Sequence, residues 1–147
     1  MAMLGTQHAG RGDRALKAAA ALYGVGLVIH TIDHFRRGTG VISREVFWAG
    51  TVSIAVAVAT VVLAFIGHRL APLVAATAAL PVGIGVAAVH LLPHWSVFSD
   101  AFPGGAVRGV NALSWTAVLL EIAGAVAVGL LGIAMLRRES GSIPARA

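Results

Sequence analysis

The chain has 147 residues, of which 58% are hydrophobic and 12% are charged, and its mean hydropathy is +0.87. A water-soluble domain of this size needs more polar surface, so the composition excludes a soluble fold and predicts an integral membrane protein. The net charge of +5 does not indicate nucleic-acid binding, because the basic residues stand mostly at the ends of apolar segments, where they would face lipid headgroups. The absence of cysteine excludes disulfides and cysteine-ligated iron–sulfur clusters.

Four apolar segments are long enough to cross a bilayer, whose hydrocarbon core of about 30 Å requires about 20 helical residues. The predicted transmembrane helices are Ala15–His34, Val46–Gly67, Leu70–Leu92 and Ser114–Leu136. Basic residues precede the first segment, as in a signal peptide, but no small-residue cleavage pattern follows it, so we expect a retained helix. The sequence therefore predicts an all-α integral membrane protein: a single domain built as a four-helix transmembrane bundle with short tails.

The distribution of basic residues predicts the orientation of the bundle. Four spans place both termini on one side, whose segments carry seven basic residues, against four in the two opposite loops. The seven are Arg11, Arg14, Lys17, Arg69, Arg137, Arg138 and Arg146, and the four are Arg36, Arg37, Arg44 and Arg108. By the positive-inside rule, both termini are inside (N-in/C-in). We expect a multi-pass protein of the plasma (cytoplasmic) membrane, embedded in the lipid bilayer, that forms a homo-oligomer or joins a larger membrane complex.

Two helices end in matched pairs of histidines, in the stretches "HTIDHFRRG" and "HLLPHW". His30 and His34 in the first helix are four residues apart, as are His90 and His94 in the third, and this spacing places each pair on one helix face. Pro93 disfavours helical geometry at the residue before it, which would leave His94 on the loop. A second proline in the third helix, at position 81, predicts a kink.

The fourth helix brings a carboxyl group to the level of these histidines. At about 1.5 Å per residue, His30 lies about 9 Å below Arg36, and Glu121 lies about 10 Å below Ser114. Small residues at steps of three and four mark the faces that meet, and the histidines and Glu121 lie on those faces. Ionisable groups within a membrane are costly and usually face the interior of a bundle. We therefore expect these groups to converge in the outer leaflet.

A transition metal ion (zinc, copper or iron) is the first interpretation of this convergence, because imidazoles and carboxylates are its usual ligands. The predicted ligands are His30, His34, His90, His94 and Glu121. Glu121 is interpreted as a ligand or as an acid/base group, and Asp33 as a carboxylate that orients a histidine. The long loop "HWSVFSDAFPGGAVRGVN" is interpreted as a lid.

A b-type haem is the second interpretation. One histidine from the first helix and one from the third would be the axial ligands. Gly26 and Gly83 would leave room for the macrocycle, and Arg36 or Arg37 would pair with its propionates.

The function expected of such a site is redox or metal-dependent hydrolytic chemistry. The sequence does not identify which residues would be catalytic. Two other functions stay open: an accessory subunit or assembly factor of a membrane complex without its own cofactor, and a component of proton- or ion-coupled transport. Simpler roles are also open for the carboxylates. Asp33 could pair with Arg36 or Arg37, and Glu121 could bond to Thr51 or Ser53.

Overall fold

A computed structural model of the protein describes residues 2–104 and 107–141. Its main elements are four helices: α1 (Ala2–Arg37), α2 (Arg44–Phe65), α3 (Ala71–Leu91) and α4 (Ala112–Gly141). Each contains a stretch that is long and apolar enough to cross a membrane. The prediction of an all-helical chain with four apolar helices of membrane-spanning length is thereby confirmed. Arg146, assigned to the inner side, lies outside the described residues.

The connection between α1 and α2 is short and well defined. Gly38 ends α1 with a φ of +91°, a left-handed conformation that glycine adopts without steric cost. A 3₁₀ turn, Thr39–Val41, follows. The hydroxyl of Ser43 then accepts a hydrogen bond from the backbone N–H of Val46 (3.1 Å), which caps the first turn of α2, and donates to the carbonyl of Val97 (2.5 Å). The cap of α2 thus also holds the loop that follows α3.

The third helix contains a wide turn next to its proline. α3 is α-helical over Ala71–Val74, π-helical over Ala75–Ala79 and α-helical again over Leu80–Leu91. Pro81 has no backbone N–H, and in a continuous α-helix its ring would collide with the carbonyl of Thr77. The π-helical turn lies directly before the proline, where that α-helical hydrogen bond cannot form. α3 ends at Leu91 because Leu92, which precedes Pro93, is extended (φ −80°, ψ 151°).

α1 and α4 cross in close contact at two glycines. A Cβ atom added to Gly26 would lie 2.5 Å from the backbone of Glu121, and one added to Gly124 would lie 2.5 Å from the backbone of Tyr23. Each glycine therefore accommodates the backbone of the facing helix where no side chain would fit. Because the later residue of α1 meets the earlier residue of α4, the two helices are antiparallel.

α3 packs on another face of α4 through small residues. A Cβ on Gly83 would lie 2.8 Å from that of Ala125, and a Cβ on Gly129 would lie 2.5 Å from that of Leu80. Large apolar side chains instead lie on the outside of the bundle, where Ile32, Trp48 and Leu130 are exposed. This arrangement, with small residues inside and large apolar residues outside, suits a bundle surrounded by lipid.

Candidate metal centre

Three histidines from α1 and α3 form one compact cluster: His30, His34 and His90, called here the histidine group. The ring centroid of His30 lies 4.7 Å from those of His34 and of His90, and the centroids of His34 and His90 are 5.6 Å apart. One nitrogen of each ring lies within 4.8 Å of the other two, so the group could hold a metal ion. The predicted convergence of histidines from the first and third helices is therefore confirmed for His30, His34 and His90.

Glu121 of α4 contacts His30. Nδ1 of His30 is hydrogen-bonded to a carboxyl oxygen of Glu121, and both residues are buried. Side chains lean towards the N-terminus of their own helix, and α1 and α4 are antiparallel, so these two side chains lean towards each other. The contact at Gly26, one turn before His30, sets the spacing that lets them meet. Glu121 therefore contacts one member of the histidine group.

The other nitrogen of His30 has no hydrogen-bond partner among the residues described. Nε2 is buried all the same. In the tautomer in which Nδ1 donates to Glu121, Nε2 of the neutral ring presents its lone pair. Buried polar atoms are nearly always paired, so this nitrogen and the hydroxyl of Tyr23, a second such atom among the described residues, both require an explanation, and a bound ion is one for His30.

Asp100 holds His90 in a similar way and was not among the residues predicted from the sequence. Nδ1 of His90 lies 3.2 Å from the backbone carbonyl of Asp100 and 3.4 Å from its carboxylate. Both groups only accept, so Nδ1 of His90 is the donor, and its Nε2 also presents a lone pair. Phe102 packs against the ring of His90, at 4.9 Å between centroids. The loop interpreted as a lid thus lies against the histidine group with Asp100 and Phe102 buried.

Arg37 joins the third histidine to the two aspartates. Its guanidinium donates to Asp33 (3.1 Å), to both carboxylate oxygens of Asp100 (2.6 and 3.2 Å) and to Nδ1 of His34 (3.0 Å). Since a guanidinium only donates, Nδ1 of His34 accepts, and the neutral ring carries its proton on Nε2. Burial raises the pKa of the Asp100 carboxyl, but hydrogen bonds and charges from His90 and Arg37 outweigh it and hold that pKa below its ordinary value. Asp100 is therefore ionised at neutral pH.

Asp33 was predicted to orient a histidine, but its carboxylate contacts two arginines. It is fully buried and accepts hydrogen bonds from Arg36 (2.8 and 3.0 Å) and Arg37 (3.1 Å). The arginines lie three and four residues further along the helix, so they reach Asp33 within one turn, and Arg37 connects Asp33 to His34. Arg36 also donates to the carbonyl of Gly109 (2.7 Å) and to the hydroxyl of Ser114 (3.1 Å). Both guanidinium groups are thus hydrogen-bonded within the protein. The haem interpretation, by contrast, requires one of these two arginines to bind the propionates.

Three other predicted features lie elsewhere. His94 is exposed on the loop after α3 and is not part of the histidine group, because the helix ends before it. Gly26 and Gly83, assigned to the space for a haem, are occupied by the close contacts with Glu121 and Ala125. A sequence signal for Asp100 did exist: it is the only acidic residue between α3 and α4, in a chain with six acidic residues.

A cavity of about 240 Å³ lies beside the histidine group, between α1, α2 and α3. The three histidines and Glu121 line it, and most of its other lining side chains are apolar, including Leu27, Val46, Ile54, Val86 and Val89. A Cβ atom added to Gly50 of α2 or Gly85 of α3 would meet no atom within 4 Å, so the two helices stand apart at these lining positions. An ion in the histidine group would therefore face an apolar cavity.

Comparison of the chain with protein-family models, with curated proteins and with solved structures found no match. The function of the site is consequently argued from its own geometry and chemistry.

Proposed function

We propose that the protein binds a divalent transition metal ion through His30, His34 and His90, within a four-span membrane bundle. The observation that carries the proposal is the buried Nε2 atom of His30, which has no partner among the described residues while Nδ1 is held by Glu121. Histidines that ligate metals usually donate their other N–H to a carboxylate or a carbonyl group. His30 does so to Glu121, and His90 does so to Asp100.

The ligand set favours an ion over a haem. A tetrahedral site with metal–nitrogen distances of about 2.0–2.1 Å places its ligand nitrogens about 3.3 Å apart, and the nitrogens of the histidine group lie within 4.8 Å of one another. A haem between two axial histidines needs nitrogens about 2 Å from the iron on opposite faces, and therefore ring centroids about 6 Å apart. The centroids of His30 and His90 are 4.7 Å apart. Three imidazoles without thiolates suit zinc, copper or iron.

Charge supports the same proposal. Arg36 and Arg37 are matched by the carboxylates of Asp33 and Asp100, whereas the carboxyl group of Glu121 is paired with the imidazole of His30. A bound cation would be stabilised by the Glu121 carboxyl through His30.

His34 is the ligand whose hydrogen bond would change on metal binding. Its Nδ1 accepts from Arg37, so ligation through Nε2 would require the ring proton to move to Nδ1. The carboxylate of Asp100 lies 4.0 Å from that Nδ1, so the ring would have to move closer before this carboxylate could accept a hydrogen bond from it. With three protein ligands, a bound metal ion would keep one position open, which is the arrangement of catalytic sites rather than of structural ones. Redox or hydrolytic chemistry would occur at that open position.

The predicted N-in/C-in orientation in the plasma membrane completes the proposal, because it places the metal centre in the outer leaflet. The proposal applies to each chain, whether alone or in a homo-oligomer or a larger complex.

The test is elemental analysis and a visible spectrum of the protein, purified in mild detergent without chelator. We expect one equivalent of metal, lost in a His30→Ala/His90→Ala double variant and retained in His94→Ala, which removes an exposed histidine outside the group. A Soret band lost in the double variant would favour haem instead. A wild-type protein that stays metal-free after incubation with zinc, copper and iron would contradict the proposal.

A further inference from the structure

The histidine group and Glu121 line the cavity, and Thr31 adds a hydroxyl group. Apolar side chains of α1, α2 and α3 form most of the remaining wall. Thr51 and Ser53 also line it, but their hydroxyls donate to carbonyls of their own helix, those of Phe47 and Ala49 (both 2.9 Å). These hydroxyls therefore add little polarity to the wall. Such a cavity suits a ligand with one polar group on an apolar body.

The way into this cavity is through the side of the bundle. At the end of the bundle, the buried segment from Asp100 to Phe102 lies against His90. Along the side, by contrast, Gly50 and Gly85 leave space between α2 and α3, and the cavity-lining residues Phe35 and Phe47 are exposed, Phe35 by 70%. In a membrane-embedded bundle this side faces lipid tails. A ligand would thus enter from the bilayer.

We infer that the cavity binds an amphiphile taken from the bilayer: a single apolar chain or ring that carries one oxygen-bearing head group, with the head group at His30, His34 and His90. The inference rests on the proposed metal centre, because the head-group oxygen would fill the open position of the ion. A cavity of about 240 Å³ is smaller than the pockets of about 300–1,000 Å³ that hold drug-sized ligands, which favours a single chain or ring over a fused ring system.

The experiment uses cobalt(II)-loaded protein in lipid nanodiscs, because the visible absorption of cobalt reports both metal binding and a change of its fourth ligand. Decanoate is the probe, and decane is the matched apolar chain without a head group. We expect decanoate to change the cobalt spectrum with saturation. Decane alone should leave the spectrum unchanged and should raise the decanoate concentration needed for half-saturation.

Two substitutions separate the cavity from the metal centre. Gly85→Leu and Gly50→Leu would fill the cavity from opposite helices without touching a histidine, and we expect each to raise the half-saturating decanoate concentration at least tenfold while the starting cobalt spectrum stays unchanged. Ala55→Leu adds the same side chain at an exposed position of α2 outside the cavity lining and should behave as wild type.

The outcomes are distinguishable. Two results would overturn the inference and leave the metal centre standing. In the first, the cobalt spectrum is normal but decanoate does not alter it; in the second, decanoate alters it equally in the wild type and both glycine variants. A wild-type protein without any cobalt spectrum would refute the metal centre, and the inference with it.

Discussion

The close contact between α1 and α4 makes Gly26 a sensitive point for both stability and metal binding. A Cβ atom at this position would lie 2.5 Å from the backbone of Glu121, where ordinary contacts begin at 3.4 Å. Backbone atoms of a helix cannot rotate away, so Gly26→Ala would force the helices apart by about 0.9 Å. Overpacking of this kind usually costs about 1–3 kcal/mol of unfolding free energy. The same displacement would draw the carboxyl group of Glu121 away from His30 and lower the metal affinity.

The control for this prediction is Gly85→Ala, because a Cβ on Gly85 meets no atom within 4 Å. Both substitutions raise intrinsic helix propensity by about 1 kcal/mol, so their difference isolates the crowding at the crossing. The assay is equilibrium unfolding in mixed micelles with increasing dodecyl sulfate, followed by tryptophan fluorescence, together with metal affinity from chelator competition. We expect Gly26→Ala to be less stable than Gly85→Ala by about 1–3 kcal/mol. Equal stability and equal metal affinity in the two variants would refute the reasoning.

Three further predictions concern the polar residues. Glu121→Gln should weaken metal binding about 10–100-fold in a chelator competition, since it removes the carboxylate that holds a ligand histidine, and an unchanged affinity would place Glu121 outside the metal centre. Asp100→Asn should lower the unfolding free energy by about 3 kcal/mol, because Arg37 stays buried with one carboxylate fewer. The control Asp13→Asn, at an exposed site, should change the unfolding free energy by less than about 0.5 kcal/mol. Equal effects of the two substitutions would contradict the expectation. His34→Ala should reduce the bound metal measured by elemental analysis and His94→Ala should not, so the reverse order would exchange their roles.

The helices and the histidine pairs could be predicted from local sequence patterns. Apolar length alone located all four spans, and a spacing of four residues placed His30 and His34 on one face of α1. The end of α3 before Pro93 followed from the restriction that a proline imposes on the residue before it, and this explains why His94 is not part of the histidine group.

The partners of these residues could not be predicted from local patterns, because they depend on how each helix is rotated and how the loop folds. The spacing within α1 allowed Asp33 to pair with the arginines one turn away, but it did not exclude a histidine of another helix as the partner. Gly26 could leave room for a cofactor or for a neighbouring helix, and only the crossing with α4 distinguishes the two. Asp100 reaches His90 and Arg37 through a loop whose path no short-range pattern describes.

The antiparallel contact of the first and last helices also sets an order for assembly of the site. His30, His34, His90 and Asp100 all precede α4 in the chain, so they leave the ribosome before Glu121 does. A chain whose synthesis has reached residue 111 holds every member of the histidine group but neither the carboxyl partner of His30 nor the glycine that receives the backbone of Tyr23. In the proposed membrane protein, insertion of the last helix would therefore be the step in biogenesis that completes the proposed metal centre.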